Sequence, residues 1–312
     1  METIRERVLP NLERQFIIDC LHQETRVDGR NLLQHRKCTV NFGTSYGNVD
    51  VALGSTRVTG SVALELVRPS ERKHEGWIVF HVDISPMASP YLESGKNSLA
   101  TMEIRRVLEN VIRDHGAVDL EPLCIVSHDK VWFVHVYINV LNHGGNLLDA
   151  CMCAAVSSLL YCRIPQVTHS GTSYVIHPFD TMQPAKLHFY FLPISTTFHF
   201  VDECCLVDAS VEEEAVSDSF LIVASTVQQE VCYLYQSPNY QKTDRLFECI
   251  KHAQRRAIQI GEDIQSHLSK VLNDRNLSQT RQFIAAKYIL PGESAARPPD
   301  ATTTIVSGDP QD

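Results

Sequence analysis

The chain has 312 residues, a net charge of −9, a hydrophobic fraction of 44% and a charged fraction of 21%. These are the proportions of a globular protein with ample material for a core. The acidic balance argues against a free-standing nucleic-acid binder, although it leaves room for local basic patches. No apolar run approaches the length of about 18 residues that a membrane span needs, and the charged N-terminus METIRERVLPNLERQF lacks a signal-peptide core, so an intracellular protein is expected.

In chain order, Glu2–His22 reads as a helix, with Leu12, Phe16, Ile17, Cys20 and Leu21 on one side. Arg26-Val27-Asp28-Gly29-Arg30 reads as a charged turn. Strands are expected at Cys38–Phe42, Val49–Leu53 and Arg57–Leu66, then a polar connection Val67–Glu75 carrying Arg68, Arg72 and Lys73, then a strand at Trp77–Ile84. Asn97–His115 reads as a helix with Ile104, Val107, Leu108, Val111 and Ile112 inward and Arg105, Arg106 and Arg113 outward. Cys124–Val126 is a short strand.

Val131–Leu160 is a strand, a glycine turn and a helix. Trp132, Val134, Val136, Ile138 and Val140 alternate onto one strand face, Asn142-His143-Gly144-Gly145 turns, and Cys151, Met152, Ala155 and Leu159 recur at helical spacing. Such a turn at a helix N-terminus can cradle phosphate, because unpaired backbone N–H groups point outward there. Asn146 is placed to cap that helix through its side-chain oxygen.

Arg163–Gln183 reads as a connection. A second strand-rich block follows at His188–Leu192, Thr196–Val201, Cys204–Val207, Phe220–Thr226 and Val231–Tyr235, then a long helix Thr243–Leu272. Glu212-Glu213-Glu214 reads as a solvated turn, and Lys251, His252, Arg255 and Arg256 as helix surface. Beyond Pro291 the composition is that of a disordered tail. The ten cysteines include no CxxC and read as free thiols, and the fourteen histidines lack H-x-x-x-H spacing, so no metal site is expected.

The pattern is α+β: an N-terminal extension over residues 1–30, a first β-then-α half over 31–165, a connection over 166–186, a second half over 187–275 and a C-terminal segment over 276–312. Several stretches together resemble the RNase PH family: Arg26-Val27-Asp28-Gly29-Arg30, Phe42-Gly43-Thr44-Ser45-Tyr46-Gly47, Leu53-Gly54-Ser55-Thr56-Arg57-Val58, the glycine turn, and Val207-Asp208-Ala209-Ser210-Val211-Glu212-Glu213-Glu214. Within that family the chain is similar to ring subunits of the eukaryotic RNA exosome, through Ser85-Pro86-Met87-Ala88-Ser89-Pro90 and Leu141-Asn142-His143-Gly144-Gly145-Asn146.

The resemblance implies an RNase PH-like fold of two halves with mixed sheets and packed helices. It implies a ring of six such subunits around an RNA channel, with S1/KH cap subunits, a forty-one type neighbour and exosome-associated ribonucleases as partners, and residence in nucleus, nucleolus and cytoplasm. No cofactor is implied. Active relatives let inorganic phosphate attack the 3′-terminal phosphodiester of RNA, and carry Thr-Arg after the double glycine and Gly-Arg before Glu-Ile. Here those places hold Asn146-Leu147 and Leu99-Ala100, ahead of Glu103-Ile104. The resemblance thus implies a non-catalytic subunit with a degenerate phosphate loop at Gly144, Gly145, Asn146 and Leu147. Two alternatives remain open: an active exoribonuclease in which Arg105 or Arg106 replaces the missing arginines, and a forty-two or forty-three type ring subunit. Arg68, Arg72, Lys73, Arg105, Arg106 and Arg113 are the candidate RNA contacts. Asp218 falls near a family catalytic aspartate and is read as a plain strand-start carboxylate.

Overall fold

A computed structural model describes residues 9–69, 75–89, 98–126, 129–170, 173–179, 182–238, 245–288 and 305–306. After helix α1 (Asn11–His22) come strands β1 (Cys38–Phe42), β2 (Val49–Leu53), β3 (Thr56–Val67) and β4 (Trp77–Ile84). Helix α2 (Leu99–Leu108) runs into a π-helical turn, Glu109–Asp114; β5 (Cys124–Val126), β6 (Lys130–Asn142) and α3 (Leu147–Tyr161) complete the first half. The first sheet has the order β1-β2-β3-β6-β4, with β5 also on β6, and β4 runs parallel to β6. A parallel neighbour needs a crossover, which α2 supplies.

The strict alternation on β6 has the expected outcome. Trp132, Val134, Val136, Ile138 and Val140 are all buried, at 4% exposure or less. They face α2 and α3. The opposite face carries Phe133, His135 and Tyr137 beside His81 of β4. There His81 Nε2 lies 3.1 Å from His135 Nδ1, and His135 Nε2 lies 3.2 Å from Glu65 Oε2.

The second sheet is antiparallel, in the order β12 (Cys204–Val207), β11 (Pro193–Val201), β13 (Ser219–Thr226), β14 (Val231–Gln236). Every residue of β11 is buried, because α3 packs on the sheet and α5 (Leu246–Tyr288) packs on it too. Phe198 and Phe200 meet Cys249 and Ala253 of α5, while Ser195 and Thr197 turn to Asp149 of α3. Helix α3 contacts both sheets and is buried almost all round, where a one-sided stripe is the sequence expectation. Its small residues Ala150, Ala154 and Ala155 permit that approach.

Several elements differ from their expected bounds. Helix α5 runs on to Tyr288, because nothing from Leu272 to Tyr288 breaks a helix and the first proline is Pro291. The 163–186 stretch holds short strands: β7 (Arg163–Ile164), β8 (Val167–Ser170), β9 (Ser173–Ile176) and β10 (Ala185–Lys186). Two to four residues are too few for periodicity to register. The expected strand His188–Leu192 is reduced to one bridge, Phe189 to Val118, and β11 starts at Pro193. Within the tail, β15 (Ile305–Val306) pairs with β9; its other residues lie outside those described.

Candidate active site: a phosphate loop closed from within

Strand β6 delivers the chain to the glycine turn. The two glycines are required by closeness rather than by the turn alone. A Cβ on Gly144 would stand 1.9 Å from Ser55 Oγ, and one on Gly145 would stand 2.3 Å from the Ala209 carbonyl, with Gly145 at φ +94°. The loop is pressed between the β2–β3 hairpin and the segment after β12, which belongs to the second half. Only a residue without Cβ permits that approach.

Three amides of the turn already have acceptors. Gly144 N–H donates to Thr56 Oγ1 (3.2 Å), Gly145 N–H to His143 Nδ1 (3.4 Å) and Asn146 N–H to Glu214 Oε1 (2.6 Å). The last is a charge-assisted bond at the N-terminus of α3, where the helix dipole favours negative charge. A side-chain carboxylate thus stands where an inorganic anion would. The loop's carbonyls accept from side chains: Arg36 donates to Gly144 O (2.7 Å) and Gly145 O (3.0 Å), and Thr56 Oγ1 donates to Gly145 O (2.6 Å).

Arg36 is held by Asp208, which accepts from its Nε (3.0 Å), Nη2 (2.7 Å) and backbone N–H (2.7 Å). Arg30 Nη1 adds a bond to Asp208 at 3.3 Å. Burial alone would raise the Asp208 carboxyl, but the hydrogen bonds and charge of Arg36 hold it at about 2. The same interaction raises Arg36 despite its burial. One layer further, Arg26, 4% exposed, clamps Glu213 through Nε (2.9 Å) and Nη2, and donates to Val207 O and Asp208 O. The expected charged turn therefore sends its arginines inward, into the junction of the halves.

Three expectations change here. Asn146 holds the N-cap position of α3, but its side chain makes no capping hydrogen bond. It sits at φ 52°, ψ 53°, and its Nδ2 donates to Asp149 Oδ2 (2.8 Å) and Asp208 Oδ1 (2.9 Å). Two carboxylates converging on one position call for a donor, which the amide supplies. Glu212-Glu213-Glu214 is not a solvated turn but the first turn of α4 (Val211–Val216), where Ser210 and Glu213 form a capping box. On α5, His252 is half-buried and stacks on His35 with ring centroids 5.3 Å apart, and Arg256 is half-buried and lines a small cavity, so neither is plain surface.

Leu147 is buried at 8% exposure, its side chain in the core. Asp149 is partly buried and accepts from neutral groups, Ser195 Oγ (2.7 Å), Thr197 Oγ1 and N–H (both 3.0 Å) and Asn146 Nδ2, and desolvation raises its pKa.

The arginines named from the sequence lie elsewhere. Arg68 is exposed and pairs with Asp129 at 3.2 Å; Arg72 and Lys73 lie outside the described residues. Being so exposed, the Arg68 pair contributes little, and Arg68→Ala is expected to change unfolding free energy by less than about 1 kcal/mol in chemical denaturation. Arg113 stacks over Trp77 (5.2 Å) and pairs with Asp114 (2.9 Å) and Glu109 (3.6 Å). Arg106 is exposed, close enough for its charge to act on Tyr233 of β14, and Arg105 is half-buried. Asp218 is an exposed carboxylate just before β13 whose N–H donates to Phe200 O. The residues sequence reasoning passed over are Arg36, Asp208 and Glu214. The signal for the latter two was the acidic run at a strand end; Arg36 lies in a stretch with no motif at all.

Comparison with known proteins gives a consistent picture. Models of the 3′ exoribonuclease family match over residues 34–165 (domain 1) and 192–256 (domain 2). Exosome complex component RRP45 of Bos taurus is 35% identical over 269 residues, spanning 85% of this chain and 61% of the relative. The fission-yeast rrp45 (Schizosaccharomyces pombe) is 31% identical over 266 residues, spanning 84% of this chain and 91% of the relative. The chain spans about six-tenths of the length of the mammalian relatives it matches. A solved structure described as the Archaeoglobus fulgidus exosome with RNA bound to the active site has 30% identity and a TM-score of 0.71, covering 81% of this chain and 98% of that one. Rice Rrp46, at 17% identity and a TM-score of 0.57, shares the fold.

Proposed function

The chain belongs to the RNase PH-like 3′ exoribonuclease family, and from that membership we propose that it is a non-catalytic ring subunit of the RNA exosome, of the forty-five type. It would support 3′→5′ RNA processing and degradation, ribosomal RNA maturation included, by shaping the channel rather than by cutting.

The observation that carries this reading is the Glu214 carboxylate on the Asn146 N–H. Phosphorolysis needs inorganic phosphate poised at the scissile bond by cations and N–H donors. Here three carboxylates, Asp149, Asp208 and Glu214, converge on Asn146, while the guanidinium beside the loop is held by Asp208 and by loop carbonyls. A dianion would meet repulsion, and would find the N–H groups of Gly144, Gly145 and Asn146 already bonded. Leu147, buried at 8% exposure, offers neither charge nor hydrogen bond where the active pattern has arginine.

The expected result of incubating the chain with labelled RNA and phosphate is no phosphate-dependent release of nucleoside diphosphate. Release that scales with phosphate and is abolished by Arg106→Ala would overturn the reading in favour of an active phosphorylase. The partners proposed are RNase PH-like ring subunits, among them a forty-one type neighbour, S1/KH caps, exosome-associated ribonucleases and RNA in the assembled channel, with residence in nucleus, nucleolus and cytoplasm. Mass spectrometry of co-purified neighbours separates the forty-five seat from the forty-two and forty-three seats. Replacing Arg68, Arg72 and Lys73 together with alanine is expected to weaken RNA crosslinking to the assembled complex and to flatten its salt dependence, as loss of phosphate contacts does. Unchanged crosslinking would make that loop a solubilising connection.

A further inference from the structure

Beneath the glycine loop, between the two halves, lies a narrow cavity of about 20 Å³, lined among others by His35, Cys38, Asn146, Asp149, Ile194 and Arg256. Three of these residues carry a buried polar atom with no hydrogen-bond partner: Asn146 Oδ1, His35 Nε2 and Arg256 Nε. Asn146 is 3% exposed. Its amide orientation is fixed, because a flip would set Oδ1 against the carboxylates of Asp149 and Asp208 where Nδ2 now donates to both. A buried donor or acceptor left without a partner is destabilising, and here three of them border one cavity.

The ligand is defined by what those atoms need. Asn146 Oδ1 needs a donor and Arg256 Nε–H needs an acceptor. His35 is neutral, since burial and the neighbouring Arg256 push it down to about 3, so its Nε2 takes either part. An anion would approach an amide oxygen and Asp149. A metal cation would face a guanidinium. A molecule with two donors and two acceptors complements all three atoms, and the volume exceeds the roughly 10–15 Å³ that a single water requires.

We propose that one water molecule is a permanent constituent of this junction, accepting from Arg256 Nε and donating to Asn146 Oδ1 and His35 Nε2. It would join the glycine loop of the first half, the segment before β1 and α5 of the second half at one point. On this view Asn146 stands at its position to serve Asp149, Asp208 and the water simultaneously, a task that threonine, with one hydroxyl, cannot perform.

The test has a crystallographic and a thermodynamic arm. In a well-resolved crystal structure of the full chain in its assembly, soaked in bromide, one peak without anomalous signal is expected within about 2.7–3.2 Å of all three atoms. A bromide peak there, or no density, would overturn the proposal. In solution, Arg256→Met is expected to lower the melting temperature by a few degrees more than Arg255→Met, because the water loses its donor. If the cavity is dry, Arg256→Met merely deletes an unsatisfied group and leaves the melting temperature equal to or above that of Arg255→Met, which refutes the proposal without a crystal.

Discussion

Asp208→Asn is expected to destabilise the protein by about 3–5 kcal/mol, the usual cost of removing one partner from a buried ion pair. The substitution is sterically mild. Asp208 sits at φ 53°, a region asparagine tolerates as well as aspartate does, so the loss reports charge and hydrogen bonding alone. Its side chain has no exposed surface, and those of Arg36 and Arg30 are 11% and 12% exposed, so water cannot take over the guanidinium contacts. The same carboxylate predicts the pH dependence. Its folded pKa of about 2 lies below the ordinary 3.8, so its contribution is present above about pH 4 and is lost as pH falls toward 2. That difference corresponds to about 2 kcal/mol. Acid titration of unfolding free energy should therefore show a shallower decline between about pH 4 and 2 in Asp208→Asn than in the native chain. Parallel slopes would remove Asp208 from the junction. Asp149, raised by burial, acts in the opposite sense and gains on protonation, so the native slope is a net of the two.

Gly145→Ala is expected to cost about 3–5 kcal/mol, in the exceptional range for one methyl group. Part is the conformation at φ +94°, and part is the Ala209 carbonyl 2.3 Å from the new Cβ, backbone against backbone with no flexible side chain to yield. The natural control is Gly116→Ala. Gly116 has φ +68° with nothing within 4 Å, so it isolates the conformational term, about 1 kcal/mol. Urea unfolding of the two variants gives the comparison directly. Equal losses would mean that the halves do not press on the loop as described.

Much of the fold was legible because its strands and helices follow the two simple periods. The alternation over Trp132–Val140 and the three-four spacing along α5 report burial at the level of single residues. What escaped detection is non-local. Arg26, Arg30 and Arg36 look like a solvated basic stretch until Asp208 and Glu213, more than 170 residues away, are placed beside them. Asn146 reads as a helix cap because capping is the commonest use of asparagine before a helix; the carboxylates that redirect its side chain come from α3 and from after β12. The resemblance pointed to the uncharged Leu147 and Ala100, but nothing in the chain pointed to Glu214 as the partner of the Asn146 N–H.

The junction also has an order in time. Asn146 meets Glu214 across 68 residues, and Arg36 meets Asp208 across 172. A chain made from its N-terminus completes the first sheet, the glycine turn and α3 well before β12 and α4 exist. In that interval the backbone N–H of Asn146 at the start of α3 lacks its Glu214 carboxylate. The nascent first half therefore presents, transiently, an N–H at the start of α3 to which docking of the second half brings the Glu214 carboxylate.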